Sequence, residues 1–160
     1  MRSRETARQH GFLARLVPAC GIMAGLSLLA APALAARSEF TVKVTGTQAT
    51  PPLAHTGSGF AQITYDPTTR ILGWSFKYKG FHSPVTMVHF HKAEAPGQSG
   101  PPVVWMSEKG ANKLPNPVVG YAILTPDEAK TFTAGQWYIN VHTKNHPGGA
   151  ARGTVTPPQG

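Results

Sequence analysis

Three histidines lie in two stretches whose pattern is typical of β-strands, and they are the residues of this chain best suited to bind a metal. His89 and His91 are two positions apart, so on a strand their side chains project from the same face. His142 lies in a second stretch of this kind. Imidazole nitrogens are ordinary ligands of copper and zinc, so pairing of the two strands predicts a three-histidine site for one of these ions.

The environment of these histidines depends on which face of their strands is buried. Val88 and Phe90 alternate with the histidines and occupy the opposite face. If Val88 and Phe90 form the core, the histidines face solvent. If the histidine face is buried instead, the rings need hydrogen-bond partners, and Tyr138 and Asn140, on the same face as His142, are placed to supply them. The sequence leaves open a metal site, a hydrogen-bonded histidine cluster and unconnected surface residues.

Three neighbouring residues are secondary candidates. Met87 shares the histidine face, together with Val85, and offers a thioether ligand for Cu(I), although methionine also fills gaps in apolar cores. His146 is close enough to His142 in sequence to join a site. Arg152 is expected to pair with a carboxylate or with the backbone of the last strand, in preference to contacting a substrate.

The elements that position these residues are short alternating segments separated by turn residues, a pattern typical of an all-β fold. The sequence predicts an antiparallel, Greek-key-like β-sandwich with one short helix. The helix follows Thr125, which together with Pro126 and Glu128 forms a capping-box pattern, and Gly135 is placed to end it. Strands are predicted at residues 39–46, 59–65, 71–79, 85–92, 103–106, 118–124, 137–143 and 153–156.

The N-terminal segment has the layout of a secretory signal peptide. Four arginines precede an apolar run at residues 21–34, which ends in the small-residue pattern Ala33-Leu34-Ala35. We expect cleavage after Ala35, a domain at residues 36–160, and a periplasmic or secreted protein. The apolar run is short for a membrane span of about 20 residues. Lipidation of Cys20 is an alternative, but the apolar stretch follows this cysteine instead of preceding it.

Charge and cysteine content exclude several functions. Four arginines and Glu5 leave with the leader, which lowers the net charge from +8 to +5, and the remaining basic residues are scattered. A nucleic-acid-binding surface requires clustered basic residues, so none is predicted. The single cysteine, Cys20, lies in the leader, so the exported domain has no disulfide or thiol chemistry. No further hydrophobic run indicates a transmembrane segment after processing.

Several motifs resemble those of the chordin-type (CHRD) domain family. They are Phe40-Thr41-Val42, the residues from Pro84 to His91, Gly100-Pro101-Pro102, and the closing stretch from Trp137 to Thr143 with Pro147-Gly148-Gly149 and Arg152-Gly153. The resemblance spans roughly residues 40–157. It implies an extracellular or periplasmic β-sandwich, here in the single-domain exported form found in bacteria. At Lys92 the resemblance would place a glycine, and the lysine puts a cation beside the proposed site.

The resemblance implies a binding or structural module of the cell envelope without an established catalytic activity. Its partner would be an extracellular or envelope macromolecule, recognised by loops at residues 48–56 and 107–117. The alternative is a periplasmic copper- or zinc-binding protein. His89, His91, His142 and Arg152 are similar to the metal-site residues of copper/zinc superoxide dismutases, but the bridging histidine and the disulfide of those enzymes have no counterpart here. No hydrolase elbow or paired carboxylates indicate an enzyme.

Overall fold

A computed structural model describes residues 36–54, 56–95, 97–108 and 114–159. The proposed leader, residues 1–35, lies outside the described residues. Within them the chain is all-β and antiparallel with one short α-helix, as predicted. The strands are β1 (Ser38–Thr45), β2 (Ser58–Asp66), β3 (Ile71–Lys79), β4 (Val85–Lys92), β5 (Pro102–Trp105), β6 (Val118–Ile123), β7 (Trp137–Thr143) and β8 (Ala151–Thr154), the helix α1 is Pro126–Thr133, and a single 3-10 turn spans Gly46–Gln48.

The described strands join one sheet in the order β5-β4-β7-β8-β1-β2-β3-β6, and every neighbouring pair is antiparallel. Between β8 and β1 the ladder is short and pairs Thr45 with Arg152, so the sheet consists of two four-stranded halves. Trp74 on β3 and Phe90 on β4 lie with ring centroids 5.7 Å apart, although β4 is second and β3 seventh in the sheet. The two halves therefore fold over one another and enclose the core, as the layers of a sandwich do.

The core follows the alternation in the sequence. Leu72 and Phe76 on β3 and Val88 and Phe90 on β4 are fully buried, and their neighbours along each strand point to the other face. Trp74 lies between Leu72 and Phe76 and donates its indole N–H to the carbonyl oxygen of Met106 at 3.2 Å. The core side of β4 is thus the side of Val88 and Phe90, which places the histidines on the outer face.

Helix α1 forms where the capping pattern predicts it. The Thr125 hydroxyl accepts a hydrogen bond from the Glu128 backbone N–H, and the Glu128 carboxylate accepts one from the Thr125 backbone N–H. Phe132 is fully buried and packs edge-on against Trp137, with ring centroids 5.4 Å apart. Gly135, at φ +69°, follows the helix end. None of the helices in the described part of the chain is long and apolar enough to cross a membrane.

Two features of β4 and β7 depart from simple alternation. The register of β4 against β7 shifts between Val85 and Met87, and this bulge turns Val85 into the core, away from the histidine face on which the alternation had placed it. Every residue of β7 is buried, including Tyr138, Asn140 and His142 on the outer face. A strand that is buried on both faces requires a second layer of residues over its outer side. This layer surrounds the three histidines.

Candidate metal centre

The pairing of β4 with β7 brings the three histidines together. In this ladder His89 lies opposite Asn140 and Met87 opposite His142, so His142 is a diagonal neighbour of His89 on the same face. The ring centroids of His89 and His142 are 5.0 Å apart, and those of His89 and His91 are 5.5 Å apart. One nitrogen from each ring lies within 4.8 Å of the other two.

This separation is close to what a bound ion requires. Three atoms within 4.8 Å of one another have a common point that is no more than about 2.8 Å from each, compared with about 2.0–2.1 Å for a zinc–imidazole bond. The three nitrogens are therefore close enough together that they could hold one metal ion.

Two backbone carbonyls set the orientation of two of the rings. His91 donates from Nδ1 to the carbonyl oxygen of Gly100 at 2.9 Å, and His142 donates from Nδ1 to the carbonyl oxygen of Pro147 at 2.7 Å. A carbonyl only accepts hydrogen bonds, so the proton lies on Nδ1 and the lone pair lies on Nε2 in both rings. Metal-binding histidines are held in this way, with the second nitrogen bonded to a carbonyl.

The remaining ring nitrogens are buried and have no hydrogen-bond partner in the described protein. They are Nε2 of His91, Nε2 of His142 and both nitrogens of His89. An unpaired polar atom in the interior costs about 1–3 kcal/mol, so four within one cluster need an explanation. Three of them, one from each ring, lie together and fit a positively charged ligand that accepts lone pairs, whereas the second nitrogen of a neutral His89 carries a proton.

The interpretation in which the histidines face solvent is wrong. With Val88 and Phe90 in the core the rings were expected in solvent, but His89 and His91 are only 4% and 7% exposed. His91 and His142 are hydrogen-bonded, as a structural cluster requires, but to backbone carbonyls. The side chains expected as partners bond to other groups. The Tyr138 hydroxyl bonds with Gly100, and the Asn140 amide donates to the carbonyl oxygen of Gly148 at 3.4 Å.

The outer layer consists of Trp105 on β5 and two segments that we call the covering loops, residues 97–101 and 144–150. The Trp105 ring meets His89 edge-on with a centroid distance of 3.9 Å. The covering loops supply the carbonyls that hold His91 and His142, and they close over the outer face of β7. These loops contain the glycine- and proline-rich motifs noted in the sequence, whose role the residue types alone did not reveal.

Two glycines allow the covering loops to lie close against β4 and β7. A Cβ at Gly100 would collide with the carbonyl oxygen of Lys92. Gly149 has φ +133°, and a Cβ there would lie 2.6 Å from the side-chain oxygen of Asn140. A larger residue at either position would force the loop away from the histidines.

Burial keeps the three imidazoles neutral at neutral pH. It lowers the pKa of His89 from 6.5 to about 4, with a further contribution from the neighbouring positive charges that His142 and His91 would carry. Burial also lowers the pKa of His91 and of His142, and it outweighs the opposite effect of the hydrogen bonds to Gly100 and Pro147. Neutral rings are the form that binds metal.

These pKa shifts predict that the metal-free protein loses stability in mild acid. Unfolded histidine titrates near 6.5 and folded His89 near 4, so between these values the unfolded chain binds protons that the folded chain does not. Protonation of this histidine in the unfolded chain therefore lowers the free energy of unfolding by up to about 3 kcal/mol as the pH falls from 6.5 toward 4, and it has no such effect above pH 6.5. Urea unfolding with a chelator at pH 4–7.5 should show this slope, whereas a flat profile would contradict it.

The other described histidines are not part of the cluster. His82 is exposed, and among the described residues the cluster does not include His146. His55 lies outside the described residues. Met87 lies opposite His142 in the ladder and is partly buried. Lys92 is exposed at the end of β4.

Arg152 has a role that the sequence did not predict. Its guanidinium donates to the carbonyl oxygen of Gln98 at 2.8 Å and to the Thr50 hydroxyl at 3.3 Å. A backbone carbonyl was expected as its partner, but this one belongs to a covering loop and not to the last strand. The guanidinium carbon lies 3.4 Å from the centre of the Tyr138 ring, and Tyr138 in turn stacks on His91 with a centroid distance of 4.9 Å.

Comparison with known proteins identifies the family. The family model described as the CHRD domain matches residues 40–155, which include all three histidines of the cluster and both covering loops. Searches of curated proteins and of solved structures found no match. The match covers most of the chain and confirms the resemblance seen in its motifs, so this chain belongs to the CHRD domain family.

Proposed function

We propose that this protein is exported and binds one copper or zinc ion through His89, His91 and His142. Nε2 of His91, Nε2 of His142 and one nitrogen of His89 would be the ligands. The observation that carries the proposal is the convergence of buried ring nitrogens that have no protein partner. Export is supported by the leader-like residues 1–35.

The chemistry of the ligand set favours these metals. Three neutral imidazoles without a thiolate suit Cu(II) and Zn(II), and hard ions such as Mg²⁺ and Ca²⁺ prefer oxygen ligands. The hydrogen bonds from Nδ1 to Gly100 and Pro147 fix the tautomer that leaves Nε2 free. The ring nitrogens are shielded by the covering loops and Trp105, so the geometry supports binding more than turnover of a substrate.

The expectation of a macromolecular partner stays a prediction. The recognition loops proposed for it, residues 48–56 and 107–117, include residues 55 and 109–113, which lie outside the described residues. The metal proposal, by contrast, depends only on described residues. We therefore place metal binding first.

Titration of the chelator-treated protein with Cu(II) and with Zn(II) tests the proposal. We expect one ion per chain and, at a free metal concentration 100 times the Kd, about 2.7 kcal/mol of added stability. His142→Gln should abolish both effects, and His82→Gln, which changes an exposed histidine, should alter neither. Electron paramagnetic resonance of the Cu(II) form should show nitrogen coupling from imidazoles. Substoichiometric metal with no thermal shift at excess metal would refute the proposal.

A further inference from the structure

A cavity lies beside the histidine cluster but outside it. It has a volume of about 630 Å³ and is lined by the end of β4, the segment after α1, and the outer side of β7 and β8. Among its lining residues are Arg152, Tyr138, Lys92 and Glu94. None of the three clustered histidines lines it.

Arg152 is the unusual feature of this cavity. The residue is only 7% exposed, and among the described residues no carboxylate pairs with it. Its two hydrogen bonds, to Gln98 and Thr50, use two of the five N–H donors of a guanidinium. Burying a cation without a counter-ion is costly, and burial accordingly lowers the pKa of Arg152.

The lining carries a net charge of +1 and has a partly apolar wall. Lys92 and Glu94 are both exposed and contribute one charge of each sign, so the net charge equals that of the buried Arg152. Ala93, Ala95 and Ala134 contribute small apolar surfaces. A volume of this size is in the range of cavities that hold small organic ligands and is larger than an inorganic oxyanion needs.

We infer that this cavity binds a small organic carboxylate, whose charge is neutralised by Arg152 with Lys92 nearby and whose apolar body lies against the alanines. The planar guanidinium matches a carboxylate with two parallel hydrogen bonds. The inference stands apart from the metal proposal, because the cavity and the histidine cluster share no lining residue.

We test the inference by comparing the affinity of the protein for benzoate with its affinity for benzamide, which is neutral and nearly isosteric. The titration is followed by NMR at fixed ionic strength in the presence of a metal chelator, so that failure here is independent of metal binding. Benzoate should bind at least about tenfold more tightly than benzamide. Its shifts should map to residues around Tyr138 and Gly135. Equal binding of the two compounds would overturn the inference.

Variants test which basic side chains neutralise the carboxylate of benzoate. Arg152→Met should abolish the preference for benzoate, and Lys92→Gln, at an exposed position, should weaken benzoate about threefold while leaving the fold intact. Lys77→Gln, an exposed lysine on β3, should have no effect. If Arg152→Met fails to fold, the benzoate affinities of Lys92→Gln and Lys77→Gln are compared instead. Equal affinity of these two variants would overturn the inference. Competition by inorganic phosphate at the same concentration as benzoate would also overturn it, in favour of a general oxyanion site.

Discussion

Replacing His89 with leucine is expected to stabilise the metal-free protein and to destroy its metal binding. Both ring nitrogens of His89 are buried without a protein partner, and the side chain is 4% exposed. An apolar side chain of similar size removes that cost, so the free energy of unfolding without metal should rise by about 1–2 kcal/mol at pH 7.5. A hydrogen-bonded structural histidine would give the opposite sign.

The same variant loses one of the three proposed metal ligands. Removing an outer hydrogen-bond partner of a metal ligand already lowers affinity about 10- to 100-fold, so removing a ligand itself should lower it by at least about 100-fold. Urea unfolding in chelator and calorimetric titration with Zn(II) measure the two effects. His82→Leu, at an exposed position, is the matched control and should leave zinc affinity unchanged. A metal-free His89→Leu protein that is clearly less stable than the parent would argue against the metal centre.

The second large effect is expected from Gly100→Ala. The new Cβ would collide with the carbonyl oxygen of Lys92, which is backbone and cannot rotate away. The 97–101 covering loop must then move, and with it the carbonyl that fixes the His91 ring and the backbone N–H that donates to the Tyr138 hydroxyl. We expect a loss of about 2–3 kcal/mol of stability. Because His91 loses its orienting partner, zinc affinity should also fall about 10- to 100-fold.

Gly148→Ala is the control for this substitution. A Cβ at Gly148 meets nothing within 4 Å, and this glycine does not need positive φ, so the change should stay within about 0.5 kcal/mol. Urea unfolding and zinc titration of both variants make the comparison. If Gly100→Ala matched Gly148→Ala in stability and affinity, the covering loop would not position His91.

Local patterns were sufficient for most of the secondary structure. The strands at residues 71–79, 85–92 and 137–143 coincide with β3, β4 and β7, because alternating apolar residues bury one face of a strand wherever it pairs. The capping residues Thr125, Pro126 and Glu128 place the helix, since they satisfy its first N–H groups locally. That His89 and His91 share a face also follows from this period of two.

The sequence by itself therefore determined which residues project together, and the tertiary structure decided what surrounds them. Alternation identifies two faces of a strand, but it cannot show that the loops after β4 and β7 fold back and bury the second face as well. The partners of the histidines are backbone carbonyls of Gly100 and Pro147, which every residue type possesses, so residue identity carries no signal for them. The bulge that turns Val85 inward and the cation–π contact of Arg152 with Tyr138 likewise depend on register and on packing between separate strands.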